Sequence, residues 1–215
     1  MKRLWKIGGI FLLSGLYGLS LGGEGCLFFP EGGLPSLEFS LSQEVRLPYG
    51  FFIEGGGIYY RLFGIGVEGE NTVWGMFSGD MIGTIASAGW QYQKGKWQSS
   101  FSLHGGWGYL FALELREQVA REYLRTLEGG EPLVVSTSTK DGDLLGWGIS
   151  TDVRYQWKRI SLGILVSWID FEKDKTITLH WSEFLSGALE QKEKTWETRL
   201  ILRGMRIGLS LRILL

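Results

Sequence analysis

The sequence predicts an all-β fold, a closed antiparallel up-and-down transmembrane β-barrel of about ten strands, with eight as the alternative and one amphipathic helix in a long loop. Three observations carry this. Apolar and polar residues alternate strictly over runs of about 11 to 13 residues, longer than the ~5–6 residues usual in soluble sheets and close to the ~9–11 of a tilted membrane strand. Aromatic residues gather at the ends of these runs, where amphipathic rings favour bilayer interfaces. Beyond the amino terminus no stretch approaches the 18 apolar residues of a spanning helix, while glycine, 33 of 215 residues, is about twice its ordinary ~7% share.

Taken in order, the chain opens with Lys2, Arg3 and Lys6 and then runs uncharged through IGGIFLLSGLYGLSL before Gly22-Gly23-Glu24. A basic start, an apolar run too short to span and a small-residue exit read as an export signal over 1–22. Its removal takes only basic residues and leaves the mature chain acidic. Residues 23–35 are expected as a periplasmic lead-in, followed by the barrel domain over 36–215. Alternation places strands at 36–47, 51–59, 61–70, 81–93, 96–109, 144–157, 159–171, 175–181, 195–203 and 205–215. The run from Trp97 to Tyr109 shows the pattern: Trp97, Phe101, Leu103, Trp107 and Tyr109 share one face, while Gln98, Ser100, Ser102 and His104 share the other.

Short turns at 94–96 and 157–159 suit the periplasmic side, and the longer 71–80 and 110–143 suit the outside. An even strand count then leaves both termini in the periplasm. Within the long loop, LFALELREQVAREYLRTL over 110–127 is rich in helix formers and ends at Gly129-Gly130. Its apolar residues Leu113, Val119, Ala120, Tyr123, Leu124 and Leu127 are expected to cap the barrel's own mouth, lie on the membrane or meet a protein partner. Leu133 to Thr139 forms a short extra strand that Asp141-Gly142-Asp143 could turn back onto 144 onward. The polar stretch 182–194 reads as a loop.

Composition removes several classes of function. Lys+Arg 22 against Asp+Glu 23 gives no basic face for nucleic acid. Cys26 alone makes no internal disulfide, and His104 and His180, far apart in sequence, make no Cys/His zinc cluster. Gly55-Gly56-Gly57 and Gly64-Ile65-Gly66 lie between strands, without the helix N-terminus a phosphate loop requires. Asp141-Gly142-Asp143 is a turn, short of the oxygen ligands of a calcium site. No metal or cofactor is expected.

Two sets of residues remain. An aromatic girdle is predicted from Trp90, Tyr92, Trp97, Trp107, Tyr109, Trp147, Tyr155, Trp157 and Trp168. Inward positions collect a lumen charge network of Glu38, Glu44, Arg46, Asp152, Arg154, Glu197, Arg199, Arg203, Arg206 and Arg212. Closure sets the first strand beside the last, so Glu38 and Glu44 share a wall with Arg206 and Arg212, as charges in a narrow lumen require. Ser102 and His104, with Glu114 beyond the end of their strand, are the residue types of a hydrolytic site and occur in an outer-membrane lipid A deacylase barrel. The order here is not that family's His-x-Ser, and the expectation is no enzyme.

With its export signal, alternating strands, aromatic girdles and final amphipathic strand Met205 to Leu215, the chain resembles the small outer-membrane β-barrel proteins of diderm bacteria over about residues 36–215. The resemblance implies outer-membrane lipid as surroundings and the barrel-assembly machinery as a partner that reads the last strand. That strand commonly ends in an aromatic residue, and Leu215 departs from this. The expected function is a structural or loop-mediated interaction role with a lumen filled by side chains. The alternatives are a narrow pore or solute channel, in which inward charges set selectivity, and a soluble periplasmic calyx, apolar inside and polar outside.

Overall fold

The computed structural model describes residues 19–31, 34–68, 72–128, 131–185 and 188–215. Most of the predicted signal, and the Gly129-Gly130 helix stop, lie outside them. Among the described residues there are nine strands, in order β1 (Leu19–Pro30), β2 (Ser36–Arg46), β3 (Phe51–Glu68), β4 (Thr72–Lys94), β5 (Trp97–Leu115), β6 (Val134–Thr137), β7 (Gly142–Trp157), β8 (Ile160–Leu185) and β9 (Ala188–Leu214), and one α-helix, α1 (Glu117–Glu128), between β5 and β6. Each strand but β6 pairs antiparallel with its neighbours, and β9 pairs with both β8 and β1, so eight strands form a hydrogen-bonded ring. A ring leaves no open edge of N–H and C=O groups to face hydrocarbon.

The ring has eight strands, the alternative count, rather than the ten placed along the sequence, for two reasons. Three expected turns are not turns: 51–59 and 61–70 are one strand, as are 159–171 with 175–181 and 195–203 with 205–215. One strand was hidden, since β1 occupies the expected periplasmic lead-in and begins at Leu19, inside the expected signal. Its inward positions Ser20, Gly22, Glu24 and Cys26 alternate with Leu21, Gly23, Gly25 and Leu27. Glycines on both faces, and continuity with the apolar run before them, blur that alternation.

The upper segments depart in the same direction. Residues 72–80, expected as loop, belong to β4, and 182–194 forms the end of the β8–β9 hairpin apart from the two residues at its tip. β5 continues to Leu115, so α1 starts seven residues later than predicted. β6 pairs with β8, Val134 opposite Ser182 and Thr137 opposite Leu179, rather than folding back on β7.

At one end the turns are tight. Tyr49 and Gly50 (φ 63° and 84°), Gly95 (φ 63°) and Lys158 (φ 56°) hold the left-handed backbone that short hairpin connections need. At the other end the strands run on. Above the β1–β2 hairpin, β3 pairs directly with β9 (Gly66 with Ile201, Glu68 with Arg199), which narrows the wall. The extended β8–β9 hairpin rises past it, with β6 and α1 laid against the assembly. The apolar face of α1 is covered by its own chain: Ala120 and Leu124 are buried, and Tyr123 meets Trp196 with ring centroids 6.1 Å apart.

Candidate functional site

The lumen holds two layers. In the half nearer the tight turns, Glu24, Glu38, Glu44, Glu54 and Asp152 face Arg46, Arg154, Arg206 and Arg212. Arg212 approaches Glu44 at 3.0 Å, Glu54 at 2.7 Å and Glu24 at 3.8 Å. Arg206 approaches Glu38 at 2.9 Å and Glu24 at 3.4 Å. Arg154 pairs with Asp152 and lies 3.7 Å from Glu44, whose other oxygen is 2.9 Å from Arg46. Arg154, Glu44 and Glu38 are at most 1% exposed, so their charges depend on these partners rather than on bulk water. Ring closure makes the network possible, because β1 carries Glu24 between Ser40 of β2 and Ser210 of β9.

Above this layer the interior turns apolar. Phe28, Tyr60, Leu62, Ile65, Met76, Phe77, Met81, Leu110, Leu144, Phe171 and Leu202, each no more than 1% exposed, form one cluster that continues into the hairpin through Ile177 and Leu179. Glycines on the neighbouring strands make room for it: a Cβ on Gly146, paired with Phe171, would fall on the Phe171 ring, and one on Gly108 would fall on the Met81 side chain. Between the layers a cavity of about 40 Å³ is lined by Glu24, Glu38, Glu54, Ser102, His104 and Arg206 among others, enough for very few waters.

The outer surface is the reverse. Leu41, Leu103, Leu162, Ile164, Leu209 and Leu211 point outward and are exposed. This apolar exterior contradicts the calyx expectation, which requires polar residues there. Trp90, Tyr92, Trp97, Tyr155 and Trp157 stand exposed around the tight-turn end, and Trp107, Tyr109 and Trp147 around the other, joined by the half-buried Trp168. Trp90 and Tyr92 stack at 6.1 Å, and Trp97 meets Tyr155 edge-on at 5.1 Å. From Trp97 to Trp107 the strand rises about 34 Å at ~3.4 Å per residue, or about 26 Å across the membrane at a ~40° tilt, matching the ~25 Å apolar band of such barrels.

No protein-family model matches the sequence, and no curated protein matches it. Among solved structures, the chain is similar to the outer membrane protein OprG from Pseudomonas aeruginosa, with a TM-score of 0.53 and 10% identity over 93% of this chain and 96% of that one. It also matches Neisserial surface protein A (TM-score 0.46, 8% identity, 92% and 96% covered) and a major outer membrane protein from Thermus thermophilus (TM-score 0.45, 11% identity, 92% and 100% covered). The chain has the fold of the small bacterial outer-membrane β-barrel proteins.

In this barrel, three residues expected in the lumen are elsewhere. Glu197 is exposed on the β8–β9 hairpin. Arg199 pairs on the outer surface with Asp174 at 3.2 Å and Glu172 at 3.5 Å, and Arg203 pairs with Asp170 at 2.9 Å. A turn at Gly204 would have let both 203 and 206 point inward. Gly204 instead sits within β9, opposite Pro30 and Ile169, so the odd positions keep pointing outward. Conversely, Glu24 and Glu54 belong to the network and were not predicted. Glu24 lay in the supposed lead-in, and Glu54 precedes the Gly55-Gly56-Gly57 run that masked the alternation of β3.

Ser102, His104 and Glu114 do not meet. Ser102 Oγ lies 2.6 Å from Ser150 Oγ, His104 borders the lumen cavity, and Glu114 stands opposite Ser78 near the far end of β5, about 34 Å along the strand from His104. Glu24, Cys26 and Glu38 bring potential ligand atoms within 4.8 Å of one another. The guanidinium of Arg206 pairs with both carboxylates, so the cation's place in that group is already filled.

Proposed function

We propose that this outer-membrane barrel is a non-conducting membrane anchor for a rigid β structure held outside the bilayer. The observation that carries the proposal is the continuous buried cluster from Phe28 and Tyr60 through Phe171 and Leu202 to Ile177 and Leu179 of the hairpin. A closed eight-stranded ring has an interior just wide enough for side chains to fill, and here those chains are apolar above and ion-paired below. An ion crossing it would have to shed its water against aromatic and aliphatic groups. The same cluster fixes the hairpin and α1 to the barrel, giving a platform that can meet other molecules without moving on its base. Conductance of the refolded protein in a planar bilayer tests this: the anchor gives no discrete steps, and a reproducible single-channel conductance refutes it.

A further inference from the structure

Three side chains on the outward face of the β8–β9 hairpin stand in the order that nucleophilic acyl transfer requires. His180 Nδ1 lies 3.3 Å from Glu193 Oε2, and His180 Nε2 lies 3.1 Å from Ser138 Oγ. With Nδ1–H donating to the carboxylate, Nε2 is left to accept the serine proton, which is the relation of nucleophile, base and orienting acid in hydrolases of unrelated folds. His180 and Glu193 are directly opposed across β8 and β9.

The arrangement is supported from both sides. Glu193 Oε1 accepts from Thr195 Oγ1 at 3.5 Å, and Thr195 Oγ1 lies 3.0 Å from Thr178 Oγ1. Ser138 follows β6 on a segment tied down to β8: Thr137 Oγ1 donates to Thr178 O at 2.8 Å, Thr178 N donates to Thr139 Oγ1 at 3.4 Å and Ser138 N donates to Thr178 O at 3.4 Å. Ser138 itself is exposed and open to a substrate. On the same face toward the hairpin tip, Val134, Phe184 and Leu189 are exposed apolar residues. Phe184 lies about 13 Å along the strand from His180, within reach of an acyl chain.

From this geometry we infer that the hairpin carries a Ser138–His180–Glu193 esterase site, taking acyl esters that lie outside the bilayer and resting their apolar part on Val134, Phe184 and Leu189. Ser138 Oγ attacks the ester carbonyl carbon while its proton passes to His180 Nε2, and Glu193 stabilises the imidazolium through Nδ1–H. The tetrahedral adduct collapses as Nε2 returns that proton to the departing alkoxide, releasing the alcohol and leaving acyl-Ser138. Water then attacks the acyl group with His180 as base, freeing the acid and restoring the serine hydroxyl. The site faces water rather than a closed cleft, so activated esters are the appropriate first probe.

The experiment uses the full chain folded in detergent, with folding of every variant checked by faster gel migration before boiling. Hydrolysis of p-nitrophenyl butyrate and labelling by a fluorophosphonate are measured together, and the labelled residue is identified by mass spectrometry. The site predicts one label per chain on Ser138, loss of label and hydrolysis in Ser138→Ala, and a fall of about 10²–10⁴-fold in kcat for His180→Ala. Glu193→Gln lowers kcat with little change in KM, and Ser102→Ala changes nothing. A folded wild type that neither hydrolyses nor labels overturns the inference, as does hydrolysis that survives Ser138→Ala.

Discussion

Replacing Arg206 with Met removes the ion-pair partner of the buried Glu38 carboxylate. Arg206 Nε is 2.9 Å from Glu38, which is 1% exposed, while Glu24 keeps Arg212 at 3.8 Å. Removing one partner of a buried pair costs about 3–5 kcal/mol, because the remaining charge stays in a poorly solvated place. At a urea dependence of about 2–3 kcal/mol per molar, expected toward the upper end for a chain of this size, the unfolding midpoint falls by about 1–2.5 M. Replacing both partners, as Glu38→Leu with Arg206→Met, removes the stranded charge and recovers most of the loss, to within about 1–2 kcal/mol of the wild type. The assay follows the unheated, fast-migrating gel form in lipid vesicles across a urea series. A shift below about 1 kcal/mol for Arg206→Met, or a double variant at least as unstable as the single one, refutes the view that the lumen charges are mutually dependent.

Other consequences follow from single positions. Gly148→Ala puts a Cβ onto His104 Nε2 and the Trp168 carbonyl oxygen, and overpacking of this kind costs about 1–3 kcal/mol, read in the same urea series. Cys26, buried in the barrel wall, resists a maleimide in the folded protein and reacts fully after boiling. Glu117 has its pKa lowered from 4.5 by the hydrogen bond from Arg121 and then by the Val135 N–H. Because the folded value is the depressed one, this tie between α1 and β6 is present above the unfolded pKa and is lost as pH falls through the folded value. Exchange protection of the Val135 amide therefore drops at a pH below the ordinary 4.5 of a glutamate, and Glu117→Gln removes that pH dependence.

The parts of the fold legible in the sequence were those where alternation ran unbroken between clear turns. Lys94 to Trp97 and Trp157 to Ile160 are two-residue hairpins flanked by long amphipathic runs, so β7 and the starts of β5 and β8 lie within two residues of their expected places. Glycine hid the rest. On β1 and β3 it replaces the side chains that would mark the faces, and at Gly204 it imitates a turn that the ladder does not make. The same ambiguity divided the charge network. Residues on clean alternation, such as Asp152, Arg154, Arg206 and Arg212, point into the lumen, whereas Arg199 and Arg203, assigned across a turn that does not form, face outward. The Ser138–His180–Glu193 cluster had no sequence signal at all, because its residues meet only through the pairing of β6 and β9 on either side of β8.

A filled ring carries no current, and bilayer conductance of the refolded full chain, with gel mobility recorded on the same sample, decides whether it is filled. Protein that migrates faster unheated, yet gives no conductance steps as protein and voltage are raised, is the result the sealed lumen predicts. Uniform single-channel steps from that folded form would contradict it.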